Sequence, residues 1–301
     1  MARIPLGGLT TLNLSTHLDP MFVELYGADA ALASTASASV VAGLVGFLGS
    51  LNYTSLTLGW AQQQGMIRAA WFTGYDPTGT TDSAAAINAA LAFGTKGVLL
   101  TSTPRSNSAI TVTGAKTVCG ENMAGTVISF YGSAGFIAAG DMVRFANMTI
   151  RSFSGAGVAD PLANAGIDYT GTSGTHRNFG RVENVYLRGW SRGVDWQYTW
   201  NSVLQNVVTV NCTNALRVFG QSVNNDVFAP NFTTIGGAGT IAIDVLPDGG
   251  NAPEGLTIHG GLIGSAERGL VADSCLNLVI LGTKTDDLTG VGVTVDASSL
   301  Q

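Results

Sequence analysis

The densest concentration of side chains able to do chemistry lies between Arg181 and Trp200. It holds Tyr186, Arg188, Trp190, Arg192, Asp195, Trp196, Tyr198 and Trp200, and three of the chain's five tryptophans fall within eleven residues. Sugar rings present flat C–H faces that pack on indoles, while Arg and Asp hydrogen-bond to hydroxyls, so this composition suits glycan binding. On a continuous strand, alternation places Trp196, Tyr198 and Trp200 on one face. A contact with a neighbouring subunit would use the same residue types, and composition does not separate the two.

Hydrolysis of a glycosidic bond needs two carboxylates about 5 to 9.5 Å apart. Asp168, Glu183, Asp195, Asp226, Asp244, Glu267, Asp273 and the adjacent Asp286 and Asp287 are available. None of them stands out from sequence. His17, His176 and His259 are too scattered for a metal site. No Ser-His-Asp or Cys-His arrangement follows from spacing, so no catalytic residue is assigned and no cofactor or metal is expected.

The elements that must position these residues are short and repeated. Asn184-Val185, Asn206-Val207, Asn231-Phe232 and Asn277-Leu278 recur, with Leu256-Thr257 in the remaining slot, at steps of 22, 25, 25 and 21 residues. A second phase follows behind: Gly193-Val194, Ala215-Leu216, Thr240-Ile241, Gly269-Leu270 and Gly290-Val291. Two co-varying phases at this period predict a solenoid of short strands, in which each coil buries its apolar face by stacking on the next. Val98 to Val295 accommodates about eight or nine coils, a rod roughly 40 Å long at the inter-strand spacing. The recurring Asn is expected to serve the coil corner, where its side chain bonds to its neighbours and to the turn backbone. The longer step from Asn147 to Asn184 predicts an insertion through Ser154 to Arg177.

Composition agrees. Only 11% of residues are charged while 46% are apolar, and 40 glycines separate short Val/Ile/Leu runs. The formal charge of −6 leaves no electrostatic footprint for nucleic acid. Cys119, Cys212 and Cys275 read as buried free thiols formed in a reducing compartment, with one disulfide among them as the alternative. Met1 to Tyr26 lacks the features of a secretory signal. The uncharged stretch Ala30 to Leu51 contains about a dozen strongly apolar residues, short of the ~20 a membrane span needs, so no insertion is expected.

Residues 1–26 hold one short helical pattern from Asp19, and too few apolar groups for a core of their own. Residues 27–70 form a low-charge connector. Residues 71–97 begin with turn chemistry and lead into a helix, Ser83 to Phe93, capped by Asp82 or Ser83, with Ala84, Ile87, Ala90 and Leu91 as its apolar stripe. Residues 98–301 carry the strands.

The turn Asp76-x-x-Gly79-x-Thr81-Asp82-Ser83, the run Ala84-Ala85-Ala86-Ile87-Asn88-Ala89-Ala90-Leu91 and Gly97-Val98-Leu99-Leu100 together resemble the opening of pectate-lyase-like right-handed parallel β-helices. That resemblance implies an all-β fold whose helix covers the open end of the solenoid. His259-Gly260-Gly261 is similar to an element of β-helical polygalacturonases, but their paired aspartates and Arg-x-Lys are missing nearby, which favours a turn. The N-terminal segment Leu18 to Tyr26, followed by the connector and the capped solenoid, looks like a bacteriophage tail spike or tail fibre. This likeness implies a homotrimer in the virion, synthesised in the host cytoplasm. It would dock on tail or adaptor proteins through residues 1–26, with Leu18, Phe22, Val23, Leu25 and Tyr26 in the contact. The β-helix would meet a bacterial surface polysaccharide, by adsorption or alternatively by depolymerising it. A secreted polysaccharide lyase is a third possibility, disfavoured by the missing signal. Only Asp296 to Gln301 follow the strands, so no C-terminal trimerisation domain is expected.

Overall fold

In the computed structural model the described residues are 66–132, 134–153 and 164–295. The expected docking residues Leu18, Phe22, Val23, Leu25 and Tyr26, and the connector up to residue 65, lie outside them. No helix among the described residues is long and apolar enough to cross a membrane.

The chain winds as a parallel β-helix with three faces per coil, every ladder between its strands being parallel. Face A stacks β1 (Met66–Arg68), β2 (Gly97–Leu100), β5 (Thr117–Gly120), β8 (Arg144–Ser152), β11 (Arg181–Arg188), β14 (Val203–Cys212), β16 (Asp226–Phe228), β19 (Thr257–His259) and β22 (Val279–Leu281). Face B holds β3 (Arg105–Ser106), β6 (Val127–Phe130), the second halves of β8, β11 and β14, then β17 (Asn231–Thr234), β20 (Leu262–Gly264) and β23 (Lys284–Asp286). Face C stacks eight strands: β4 (Ile110–Val112), β7 (Phe136–Ala138), β9 (Ala165–Thr170), β12 (Arg192–Gln197), β15 (Asn214–Phe219), β18 (Ile241–Leu246), β21 (Arg268–Ala272) and β24 (Val293–Val295).

Each inward position is a column of apolar side chains running along the axis. On face A, Val118, Phe145, Val182, Leu204, Val227 and Ile258 stack in register and are all buried. On face C the column is Ile110, Phe136, Ile167, Val194, Leu216, Ile243 and Leu270. The faces of one coil meet across its interior, as Phe130 of β6 meets Phe136 of β7 at 5.1 Å between ring centroids, and the coils above and below close the column along the axis.

Helix α1 (Ala84–Phe93) covers the first coil. It buries Ala84, Ala86, Ile87, Ala90 and Leu91, which is the expected stripe with Ala86 added. Asp82 Oδ1 accepts the Ala84 N–H at 3.0 Å, while the Ser83 hydroxyl is engaged by the Asp76 amide instead. Gly97 opens β2 at φ +137°, and a Cβ there would sit 1.9 Å from the Thr117 carbonyl, so no side chain fits. The solenoid starts earlier than residue 71. Met66–Arg68, inside the stretch read as connector, pairs with Gly97–Leu99 and buries Ile67.

The Asn repeat resolves into two corners. Between faces A and B, Asn147, Asn184, Asn206, Ala229, Gly260 and Gly282 occupy one column with left-handed backbone. Asn184 Nδ2 donates to Asn147 Oδ1 at 3.1 Å, and Asn206 Nδ2 to Asn184 Oδ1 at 2.8 Å. Asn tolerates this backbone, and the stacked amides satisfy one another along the corner. Between faces C and A a second left-handed column runs through Met142, Phe179, Asn201, Asn224, Gly255 and Asn277. Asn277 therefore belongs to a different corner from Asn184, and Asn231 belongs to neither, since it pairs with Val208 inside a ladder. In the second phase Gly193, Ala215 and Gly269 keep register. Ala242 and Gly292, not Thr240 and Gly290, complete that column.

The expected insertion from Ser154 to Arg177 is also revised. Ala165–Thr170 is a regular face C strand with Ile167 and Tyr169 in the core. The extra length is divided between residues 154–163, outside the described residues, and a turn closed by Thr172 and Thr175. The three cysteines are free. Burial pushes the Cys212 thiol up to about 12 and the Cys275 thiol up to about 11, which leaves both unreactive.

Candidate functional site

The aromatic cluster read from sequence is not one surface. Trp190 and Trp196 are 0% exposed. Trp190 packs edge-on against Phe130 and donates its Nε1–H to the Ile150 carbonyl at 3.2 Å. Trp196 lies in the face C core, in register with Tyr169 and Val218. Both are withdrawn from any ligand or subunit contact. The assumed continuous strand breaks because Tyr198 adopts φ +50°, so β12 ends at Gln197. Trp200 then belongs to β13 (Thr199–Trp200), which pairs with β10 (Arg177–Asn178).

Tyr198 lies flat over Gly220, where a Cβ would come within 2.6 Å of its ring. Its hydroxyl donates to Asp248 Oδ2 at 2.7 Å, and that bond to a carboxylate pushes the phenol upward. Trp200 stays half-buried, with its ring 4.2 Å from that of His176 and its Nε1–H on the Gln221 carbonyl. Tyr186 is half-buried and Arg188 exposed, both on the outward side of face B.

Arg192 and Asp195 instead belong to a polar constellation on the outward side of face C. Alternation along β12 sends Val194 and Trp196 inward and Asp195 and Gln197 outward. Register then aligns Asp168, Asp195, Arg217 and Asp244 in one column, on β9, β12, β15 and β18. Arg217 grips Asp195 with two parallel bonds, Nε to Oδ1 and Nη2 to Oδ2, each 2.7 Å. Arg192 Nε lies 2.8 Å from Oδ2 of the same carboxylate. Asp195 is fully buried beneath these guanidiniums, whose side chains remain 19% and 25% exposed. Gln197 Nε2 donates to Asp168 Oδ1 at 2.8 Å and to Asp195 Oδ2 at 3.4 Å. That bridge couples two carboxylates that stand on adjacent rungs, ~4.8 Å apart along the axis.

Asp168 is pushed up to about 6, first by burial and then by the neighbouring Asp195 charge, against the Gln197 bond and the Arg192 and Arg217 charges. Burial also raises Asp244, opposed by Arg217 and Arg268. Further along the same face a hollow of about 500 Å³ opens, lined by Ile241, Asp244, Leu246, Arg268, Val271 and Asp273 among others. Below pH 6 this face therefore offers a mostly protonated Asp168 carboxyl, an ion-paired carboxylate and guanidinium edges at rung spacing. Such groups hydrogen-bond sugar hydroxyls well. Asp195 is poorly placed for nucleophilic attack, because both its oxygens are occupied and water does not reach it.

The other acids are dispersed. Glu183 is paired with Arg144 and Arg181 on face A. Asp226 lies 3.7 Å from His259, whose ring stacks on Phe228. Glu267 accepts the Gly239 amide, and Asp287 accepts the Ser265 hydroxyl. His259-Gly260-Gly261 is a turn with both glycines at positive φ. Among the described residues no group of three His, Cys, Asp or Glu side chains is placed to hold a metal. Arg217 and Gln197 were not singled out from sequence, although Arg217 stands 22 residues after Asp195, one coil on.

No known protein family matches the chain, and no curated protein does. Solved structures do. The A-module of an Azotobacter vinelandii mannuronan C-5 epimerase is 16% identical, with a TM-score of 0.56 over 76% of this chain and 74% of that one. The catalytic unit of a Streptomyces thermodiastaticus α-1,3-glucanase is 14% identical, with a TM-score of 0.58 over 76% of this chain and 42% of that one. At these identities the likeness establishes the parallel β-helix fold. An Acinetobacter phage tailspike protein also matches, at 11% identity and a TM-score of 0.44, over 79% of this chain and 60% of that one, too distant to carry an argument.

Proposed function

We propose that the chain is a phage tail spike or fibre subunit whose β-helix adsorbs to a bacterial surface glycan. In this reading it is a homotrimer in the virion, held to tail or adaptor proteins through residues 1–26. The likeness of the order of docking segment, connector and capped solenoid to a phage tail spike, carried mainly by Leu18 to Tyr26, supports the virion assignment. The observation that carries glycan binding is the outward column Asp168, Asp195, Arg217 and Asp244, flanked by Arg192 and Arg268. An extended polymer lying along the axis would meet Asp168, Arg192, Arg217 and Asp244 on successive rungs, ~4.8 Å apart, with Asp195 buried beneath the two guanidiniums. Asp195 pre-positions both arginines, which lowers the cost of ordering them on binding.

A second reading, depolymerisation at the same face, is favoured by one observation: a carboxyl raised to about 6 beside a second carboxylate, a pairing that acid–base hydrolysis uses. The experiment is light scattering on the purified chain, followed by binding and product analysis on a panel of purified bacterial surface polysaccharides. Three times the 30.9 kDa chain mass, with a bound polysaccharide whose affinity falls in Arg217→Gln, is the expected result. A clean monomer, or glycan binding indifferent to Arg217, refutes it. Release of reducing or unsaturated ends that is lost in Asp168→Asn would establish the enzymatic reading.

A further inference from the structure

Face B carries a second constellation, outside the carboxylate column. Its outward register runs Arg105, Ser129, Arg151, Arg188 and Val210 on β3, β6, β8, β11 and β14. Arg151 and Arg188 are direct cross-strand neighbours, and like charges so placed repel. Among the described residues no carboxylate pairs with Arg105, Arg151 or Arg188. Arg151 Nε is held by the Ser129 hydroxyl at 2.7 Å, and Arg105 Nε by Asn107 Oδ1 at 2.7 Å. Burial and the Arg188 charge both push the Arg151 guanidinium down, so an anion arriving there would relieve a cost already present. In a chain with only 14 basic residues and a net charge of −6, three arginines without acidic partners on one face need a reason.

Aromatic rings accompany them. Tyr131 and Phe153 stack on adjacent rungs, with centroids 5.5 Å apart and planes 14° from parallel. The Arg105 guanidinium sits 4.0 Å over Tyr131, and that of Arg151 lies 4.6 Å from the Phe153 centroid. Tyr186, two residues before Arg188, emerges on the same side of β11. All three rings are only half-buried.

Resting on the glycan reading above, we infer that this side of face B is a subsite for an acidic polysaccharide. Arg151 and Arg188 take its anionic substituents while Tyr131, Phe153 and Tyr186 pack on ring faces. A guanidinium forks onto a carboxylate or phosphate with two parallel bonds, and it stacks on aromatics where an ammonium would not. Arg105 and Arg151 lie two rungs apart, ~10 Å, a span comparable to a disaccharide. Single-stranded nucleic acid uses the same residue types and carries the same sign of charge, so net charge does not separate the two and the oligonucleotide is an arm of the test.

The test uses the full chain on an array of purified bacterial polysaccharides, acidic and neutral, with poly-glutamate and a single-stranded oligonucleotide as non-sugar polyanions. The expected result is retention of acidic members only, weakening as salt rises. Binding should drop at least tenfold in Arg151→Gln/Arg188→Gln and severalfold in Arg188→Lys, which keeps the charge but loses the fork. Arg188→Gln alone, at an exposed position, covers the case in which the double variant fails to fold. Retention of neutral members only would overturn this subsite while leaving the glycan reading standing. So would acidic binding unchanged by the Arg188 variants, or equal binding of poly-glutamate or the oligonucleotide. Retention of no polysaccharide would overturn both.

Discussion

Replacing Asp168 by Asn should stabilise the protein above pH 7 while weakening whatever face C does. Asp168 holds its proton to about 6 because its surroundings disfavour the charge, burial most of all and Asp195 next. In the unfolded chain the same carboxyl ionises near ~3.9. Folding therefore takes up a proton between these values, and the stability contributed by this group falls as pH rises from about 4 to about 6. At ~1.36 kcal/mol per pH unit the full difference is roughly 3 kcal/mol, and partial exposure of the side chain reduces it to about 2 kcal/mol. Asparagine is neutral throughout and keeps an oxygen to accept the Gln197 amide. The variant should thus be about 2 kcal/mol more stable than the parent at pH 8 and no different below pH 4.

Urea unfolding from pH 3.5 to 8 reads this directly, with the fully buried Trp190 and Trp196 as fluorescent reporters and samples equilibrated from both folded and unfolded protein. Other carboxylates titrate in both proteins, so the difference curve is the quantity of interest. A variant no more stable than the parent at pH 8, or a difference independent of pH, refutes the placement of Asp168 as a desolvated carboxyl beside a second negative charge. The predicted gain matters functionally, because a residue kept at a cost to stability is being kept for something else.

The Asp195 ion pair should behave as a buried one. Arg217→Met leaves a fully buried carboxylate with Arg192 as its one ion partner beside the long Gln197 bond and should cost about 2–4 kcal/mol, while the double variant Asp195→Leu/Arg217→Met recovers most of it; equal losses in single and double variants would contradict the geometry. Trp190→Ala should cost about 3–5 kcal/mol as a core cavity, and Trp200→Ala about 1 kcal/mol or less, by the same unfolding measurement. Comparable losses from the two would place both in one environment, contrary to their burial. At the corner, Asn184→Ala should cost about 1–2 kcal/mol through its left-handed backbone and its two ladder bonds, with Asn184→Gly costing less. A larger loss from glycine than from alanine would show that backbone strain is not what the residue relieves.

Much of the architecture was legible in the residues. Repeated short apolar runs broken by glycines required stacking, since each coil needs its neighbours to close its core along the axis. The stripe Ala84, Ile87, Ala90 and Leu91 marked a helix that had to cover something, and it covers the first coil. Asn184 and Asn206 are corner residues that bond to each other, as turn chemistry suggested. The tryptophans misled because composition carries no direction. Trp190 and Trp196 are large apolar side chains first, and each fills its own part of the core, Trp190 against Phe130 and Trp196 between Tyr169 and Val218. A single left-handed residue, Tyr198, reversed the assumed alignment of Trp196 with Trp200.

By itself, then, the sequence determined the coil period, the capped start and the polar corners, because these depend on local backbone preference and on burial between neighbours. It did not determine which residues share a column. Turns between strands differ in length from coil to coil, so equal spacing paired Asn206 with Asn231, where the ladder pairs it with Ala229. Only tertiary register brings Asp168, Asp195, Arg217 and Asp244 onto one outward line, and Arg105, Arg151 and Arg188 onto another. Register is set by the sum of every inward contact along a ladder, since a one-residue slip would expose its whole apolar column. That sum is a property of the assembled coils, and it is what decides where the charges meet.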